Sequence, residues 1–215
     1  MRAYLFMLLI YVVCAREWFW PDTGVFTHEH KNKVLDKRTR PANMQLSAKQ
    51  VDAILDMLPQ DGNMLVWGVG HDSDFWNVQT TGKVVFLEDR PEWMAKITEL
   101  YPYLKVHKVK YDTSVSEHSR HISQPMDELD ISDQLPTSLI TKHWDVILVD
   151  APCGSKPECP GRFSSIITSK MLSFDHIFIN DVNRKVEYNM MHRVFGPPIK
   201  TIENEARGTV LALVK

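Results

Sequence analysis

Cysteine is scarce in this chain, with three among 215 residues. That excludes a small scaffold built from disulfides and leaves stability to a hydrophobic core. Glycine (9) and proline (12) are too few for a collagen-like or low-complexity chain. A basic surplus is also missing: 25 Lys and Arg stand against 27 Asp and Glu, for a net charge of −2. Duplex binding needs cations that displace counterions from phosphates, so no nucleic acid is expected as a partner. No apolar run reaches the roughly 20 residues of a bilayer span. No internal repeat and no Asn-x-Ser/Thr sequon occurs. What remains is ordinary globular usage, 44% hydrophobic and 24% charged, at a length that suits one catalytic domain.

Met1-Arg2 is a short positive start, and Ala3 to Ala15 carries no charge. The run is short for a span but suits a signal peptide or short signal anchor, with Val13-Cys14-Ala15 as a small-residue cleavage site. A buried first helix or strand is the competing reading. The first reading directs the chain to the secretory pathway and confines any membrane anchoring to residues 1–15. Residues 16–46 read as a stem, aromatic at Trp18 to Trp20 and then polar and basic. Within it, the side chains of His28-Glu29-His30 diverge too much for a metal pair, and the run reads as solvated surface. Residues 47–215 form the domain. Its Cys153 and Cys159 are either a disulfide across a tight loop or two free thiols.

Along the domain, strand-like and helix-like runs alternate. Ser47 is an N-cap for a helix through Leu58. Met64–Trp67 reads as a strand, Ser73–Thr80 as a helix and Lys83–Leu87 as a strand. Pro91 opens a helix over Glu92–Tyr101, and Leu104–Val109 reads as a third strand. Residues 112–141 are polar and irregular, with a helix near Ile131–Ile140. Trp144–Val149 is a strand, followed by a Pro/Gly/Cys-rich loop to Gly161 and a helix to Lys170. Asp175–Ile179 is a strand and Arg184–Arg193 a helix. Lys200–Ala206 and Thr209–Val214 close the chain as a hairpin. The expected fold class is therefore α/β: a Rossmann-like, mostly parallel sheet with helices on both faces and an antiparallel C-terminal edge strand.

Open α/β sheets bind ligands at the carboxyl ends of their strands. Four such ends here carry suggestive residues. Gly68-Val69-Gly70 lets backbone approach a ligand closely and leads into the free N–H groups of a helix. It lacks the third glycine of the dinucleotide fingerprint, which counts against a nicotinamide-dependent oxidoreductase. Glu88 ends the next strand about 20 residues on, where an acid accepts hydrogen bonds from a ribose. Asp150 and Asn180-Asp181 end two further apolar strands. Their oxygens on neighbouring tips suit either a hard divalent cation or loop-bracing and capping roles.

Taken together, the blocks Asn63–Ser73, Val85–Glu88, Val149–Pro152, Pro160–Arg162 and Asp181–Arg184 with Val186-Glu187 resemble the glucuronoxylan 4-O-methyltransferase family of plant cell-wall enzymes. The resemblance covers residues 45–215. It implies an S-adenosylmethionine-dependent O-methyltransferase acting on glucuronic acid in a polysaccharide. An acidic polysaccharide or glycan is then the partner, and the Golgi lumen or membrane (or secretion) the location. The family's activity is associated with a divalent metal ion. On this reading Gly68, Gly70 and Asp72 shape the cofactor turn and Glu88 holds the ribose. Asp150 and Asp181 act on the sugar hydroxyl, with His71 as an alternative general base. Asp150, Asp181 and Asn180 are the metal candidates. Arg162 or Arg184 pairs with the uronate carboxylate, because a guanidinium fork matches two oxygens. The family pattern has His-Asp-Val-Asp-Arg where this chain has Asn180–Arg184, and Thr and Tyr where it has Cys153 and Ser155. Those departures fall in the acceptor half, and they keep a second reading open: a catalytically silent relative that binds glycans or a partner.

Overall fold

The computed structural model describes residues 40–215; the expected segment 1–15 and the stem as far as residue 39 lie outside them. The strands are β1 (Met64–Trp67), β2 (Val84–Glu88), β3 (Val106–Lys108), β4 (His143–Val149), β5 (Ser173–Ile179), β6 (Lys200–Asn204) and β7 (Thr209–Val214). The helices are α1 (Ala48–Leu55), α2 (Ser73–Asn77), α3 (Pro91–Leu100), α4 (His118–His121), α5 (Thr137–Ile140), α6 (Phe163–Met171) and α7 (Lys185–Phe195). They build one seven-stranded sheet in the order β3-β2-β1-β4-β5-β7-β6. Pairing is parallel from β3 across to β5, and β7 runs antiparallel to both β5 and β6. The C-terminal hairpin thus forms the edge, as expected.

Side chains alternate across the sheet, and both faces are covered. Leu65, Trp67, Ile147, Val149, Ile177 and Ile179 pack with Phe163, Ile166, Val186 and Met190 of α6 and α7. Met64, Val66, Val146, Leu148 and Phe178 face the other way, onto Val51, Ile54, Phe75, Trp76 and Ile97 of α1, α2 and α3. Strands covered on both sides need apolar residues at every position, so they read as unbroken apolar runs. Met44 and Leu46 are buried in the second layer, so the compact body begins before residue 47.

Local chemistry sets the element ends. Ser47 Oγ accepts from Gln50 N at 3.3 Å, and Gln50 Oε1 accepts from Ser47 N at 3.0 Å. Two backbone donors are satisfied reciprocally where α1 starts. Gln50 is fully buried, and its Nε2 donates to Ile202 O at 3.0 Å, which fastens α1 to β6. Helix α2 stops at Asn77, short of the expected Thr80. Thr80 instead turns its hydroxyl to Gln60 O at 3.0 Å and Gly62 O at 2.7 Å. The helix expected over Ile131–Ile140 shrinks to α5. Pro136 lacks an N–H and disfavours helix in the residue before it, and Ile131 N is taken by Thr168 Oγ1 at 2.9 Å.

Gln50→Ala removes the side-chain half of the reciprocal cap and leaves Ile202 O without its buried donor. The expected cost is about 2 kcal/mol, read by urea denaturation. A loss under about 0.5 kcal/mol contradicts the double role.

Candidate active site

The strand order reverses between β1 and β4, and the turns that follow these two strands meet there. Gly68 has φ +112°, and a Cβ on it would stand 3.0 Å from Ala151 Cβ. Only glycine allows both the conformation and the approach. A crevice at such a reversal, outside the strand ends, is where open α/β sheets hold ligands.

The cofactor half was expected at Gly68, Gly70, Asp72 and Glu88, and these four lie together. Glu88 is buried; its Oε2 accepts from Val69 N and its Oε1 from Arg90 N, both at 2.9 Å. The acid therefore braces the glycine turn, and a carboxylate oxygen still has a lone pair to offer after one such bond. Burial pushes its carboxyl up, the two N–H donors oppose this, and Asp89 beside it adds to the rise. Gly70 N donates to Ser73 Oγ at 2.9 Å. Asp72 Oδ2 accepts from Trp76 Nε1 at 3.1 Å, and burial raises this carboxyl too. His71 is exposed and stands edge-on to Trp93 of α3, ring centres 5.3 Å apart. That contact draws it toward the β2 side of the turn.

In the acceptor half, Asp150 follows β4, and Asn180 and Asp181 follow β5. Asn180 Nδ2 donates to Asp150 Oδ1 at 2.8 Å. Arg162 NH2 lies 3.2 Å from the same Oδ1, 2.8 Å from Asp181 Oδ2 and 2.6 Å from Asp150 O. Its NH1 donates to Asn180 O, and its Nε to Pro152 O at 3.4 Å. Arg162 is only 3% exposed. A buried guanidinium demands acceptors, and this one finds them within the chain at every nitrogen. Arg162 was expected to face a uronate carboxylate; it is turned inward and holds the two acids. Arg184 NH1 is 3.0 Å from Asp181 Oδ2, and its side chain keeps 32% exposure. Asp181 adopts a left-handed φ of 61°. Such backbone carries strain and often marks functional sites, and Asp tolerates it better than most residues.

Burial pushes the half-buried Asp150 carboxyl up to about 6, with Arg162 and Asn180 opposing and Asp72 and Asp181 adding. Cys153 and Cys159 are joined in a disulfide, which resolves the earlier alternative. Gly161 N donates to Cys153 O at 2.9 Å, closing the loop just before Arg162.

One residue, quoted in the sequence only within a matching block, was given no role there. Glu187 of α7 is fully buried, and neither carboxylate oxygen has a hydrogen-bond partner. A Cβ on Gly154 would stand 2.2 Å from Oε1. Burial raises the carboxyl and Arg162 opposes the rise. A signal was there: Glu187 shares its helix face with the buried Val186, Met190 and Met191.

Asn180 Oδ1 is a buried oxygen without a partner, and it stands at the strand tips with the carboxylate oxygens of Asp150 and Asp181. Hard oxygens of this kind are the ligands a divalent cation takes. Among the described residues, one His/Asp cluster with metal-ligand spacing occurs, at His143, Asp145 and Asp175. It lies at the opposite, amino-terminal ends of β4 and β5 and includes neither Asp150 nor Asp181.

The sequence signature of IRX15/IRX15L/GXM matches residues 47–195. The chain belongs to this family. Among IRX15/IRX15L/GXM relatives, Arabinogalactan O-methyltransferase 2 of Arabidopsis thaliana is 34% identical over 170 residues, 66% of this chain and 58% of that protein. Glucuronoxylan 4-O-methyltransferase 3 of the same plant is 36% identical over 146 residues, 58% of this chain and 49% of that protein. Protein IRX15-LIKE, also of Arabidopsis thaliana, is 31% identical over 164 residues, 65% and 52% of the two chains. The chain spans about half the length of the curated relatives it matches.

Arg162→Met leaves two carboxylates without their buried cation and strands three carbonyls. It should cost about 3–5 kcal/mol, read by thermal or urea denaturation. A change below about 1 kcal/mol contradicts the clamp.

Proposed function

We propose that this chain is an S-adenosylmethionine-dependent O-methyltransferase whose acceptor is a sugar hydroxyl of a glucuronic acid residue in a polysaccharide. The observation that carries this reading is the meeting of the Gly68–Gly70 turn with the Asp150–Asp181 pair at the reversal of strand order. The named activities of the relatives, methyl transfer to arabinogalactan and glucuronoxylan, support a polysaccharide acceptor. The cofactor supplies a methyl group on a cationic sulfur. Glu88 offers its remaining lone pairs to the ribose, and the open backbone of Gly68 and Gly70 admits the nucleoside.

Methyl transfer is an in-line displacement, so the acceptor oxygen must be held behind the methyl carbon. Asp150 is the residue placed to do this. Arg162 and Asn180 fix its Oδ1, which leaves Oδ2 for the hydroxyl. With a pKa of about 6, its carboxylate is ionised at neutral pH and more basic than an ordinary aspartate. Asp181 is held between two guanidiniums and keeps Arg184 at the crevice, where its fork meets the uronate carboxylate. His71, drawn toward Trp93, is the weaker candidate for the base. A divalent ion, where bound, would be held by Asp150, Asp181 and Asn180 and would polarise the acceptor hydroxyl. The uncharged N-terminal run and the Cys153–Cys159 disulfide together support a lumenal, Golgi setting.

A silent, glycan-binding relative is the second reading, favoured by the Asn180–Arg184 run and by relatives whose names state no reaction. Labelled S-adenosylmethionine and fragments of acidic polysaccharide separate the two. Label in the glycan supports the enzyme, and glycan binding without transfer supports the silent form. Asp150→Asn should lower kcat by about 10²–10⁴ while sparing cofactor affinity; full activity removes Asp150 from the mechanism. Glu88→Gln should weaken cofactor binding about tenfold by calorimetry, and unchanged affinity overturns the ribose role. Asp150 must be unprotonated to act, so kcat/KM should fall as pH drops through about 6. A flat profile across that range contradicts the assignment.

A further inference from the structure

Helix α7 starts at the site, and beyond Arg184 it carries a stripe of side chains that methyl transfer leaves unused. Arg184, its N-cap, holds Asp181. Tyr188 and His192 follow, one turn apart on one face of α7. Tyr188 is 51% exposed, and its ring centre lies 4.3 Å from that of His192. Beside them, Asn189 Nδ2 donates to His118 Nε2 at 3.0 Å. His118 belongs to a segment that is itself tied to the disulfide loop. Val115 N donates to Cys159 O at 2.8 Å, and Ser116 N to Pro157 O at 2.9 Å. A continuous wall therefore runs from the acceptor loop to α7.

At its α7 end this wall carries cations. Arg184 and the exposed Lys185 contribute cations, and Lys185 lies near enough to help burial depress the His118 pKa. The acids beside α7 are engaged or covered, and the exposed Glu158 lies apart in the disulfide loop. Asp181 is paired with Arg162 and Arg184, Glu187 lies fully buried beneath, and Glu117 bonds Arg120 at 3.0 Å and lies 3.5 Å from His121.

We propose that this stripe is a second glycan subsite, which binds the uronate-bearing chain extending from the sugar in the crevice. The proposal rests on the functional reading above and names where its acceptor lies. A tyrosine platform supplies rigid, amphipathic area for a sugar ring at small entropy cost. Asn189 and His118 offer polar atoms to hydroxyls, and Arg184 and Lys185 face carboxylates on the chain.

The test uses the full chain and two acceptors, a short glucuronic acid-substituted oligosaccharide and a long glucuronoxylan fragment. Tyr188→Ala should raise the ratio of long-acceptor KM to short-acceptor KM about fivefold. Lys185→Glu should raise it too, less so at high salt. Met171→Ala, an exposed site at the far end of α6, should leave the ratio unchanged. An unchanged ratio in both Tyr188→Ala and Lys185→Glu overturns the subsite. Should the wild type transfer no methyl group, the functional reading fails separately, and the stripe is read by binding. Ring resonances of Tyr188 and His192 should then shift when the long fragment is titrated in. No shift, or an equal shift with an uncharged xylan fragment, overturns the proposal.

Discussion

A guanidinium buried to 3% exposure is the constraint around which this molecule is arranged. Taking such a charge out of water costs several kcal/mol unless each donor finds an acceptor and an acid stands opposite. Arg162 meets that demand with Pro152 O, Asp150 O, Asn180 O and the carboxylates of Asp150 and Asp181. These acceptors come from the tips of two neighbouring strands and from the loop after β4. The ion pair is thus less a source of net stability than a reason for the tips to have one arrangement. It also sits at the start of α6, where the helix dipole disfavours a cation. The acids around it offset that penalty.

The same logic divides the crevice into two braced halves. Glu88 reaches across from β2 to hold the glycine turn of β1 by its backbone N–H. Arg162 holds the acids of β4 and β5, and the disulfide closes the loop that leads to it. The halves touch at Gly68 and Ala151. Burial raises four carboxyls in the crevice, and specific neighbours oppose each rise: the Trp76 indole at Asp72, two N–H groups at Glu88, Arg162 and Asn180 at Asp150, and Arg162 at Glu187.

Much of the fold was legible because strands covered on both faces cannot hide their pattern. Met64–Trp67 and the Val84–Leu87 part of the strand read over Lys83–Leu87 are uninterrupted apolar runs, and Ser47 announced α1 through its cap. Where the reading slipped, a distant partner was the cause. Thr80 left α2 for carbonyls of Gln60 and Gly62, and Ile131 gave its N–H to Thr168. The crevice was legible as a set of strand-end residues, since their place follows from strand order. The direction of a long side chain does not follow from strand order. Arg162 and Arg184 carry the same fork in sequence, yet one is buried as a clamp and the other keeps a third of its surface. Glu187 was passed over because an acid in a helix usually faces water. Its company on the buried face was the only mark against that habit.

Crystals of the protein grown with S-adenosylhomocysteine and a glucuronic acid-bearing oligosaccharide should show the ribose against Glu88, the sulfur over the Gly68–Gly70 turn and a sugar hydroxyl between that sulfur and Asp150. Density for the nucleoside anywhere else, such as the His143–Asp175 end of the sheet, would contradict a cofactor site at the glycine turn.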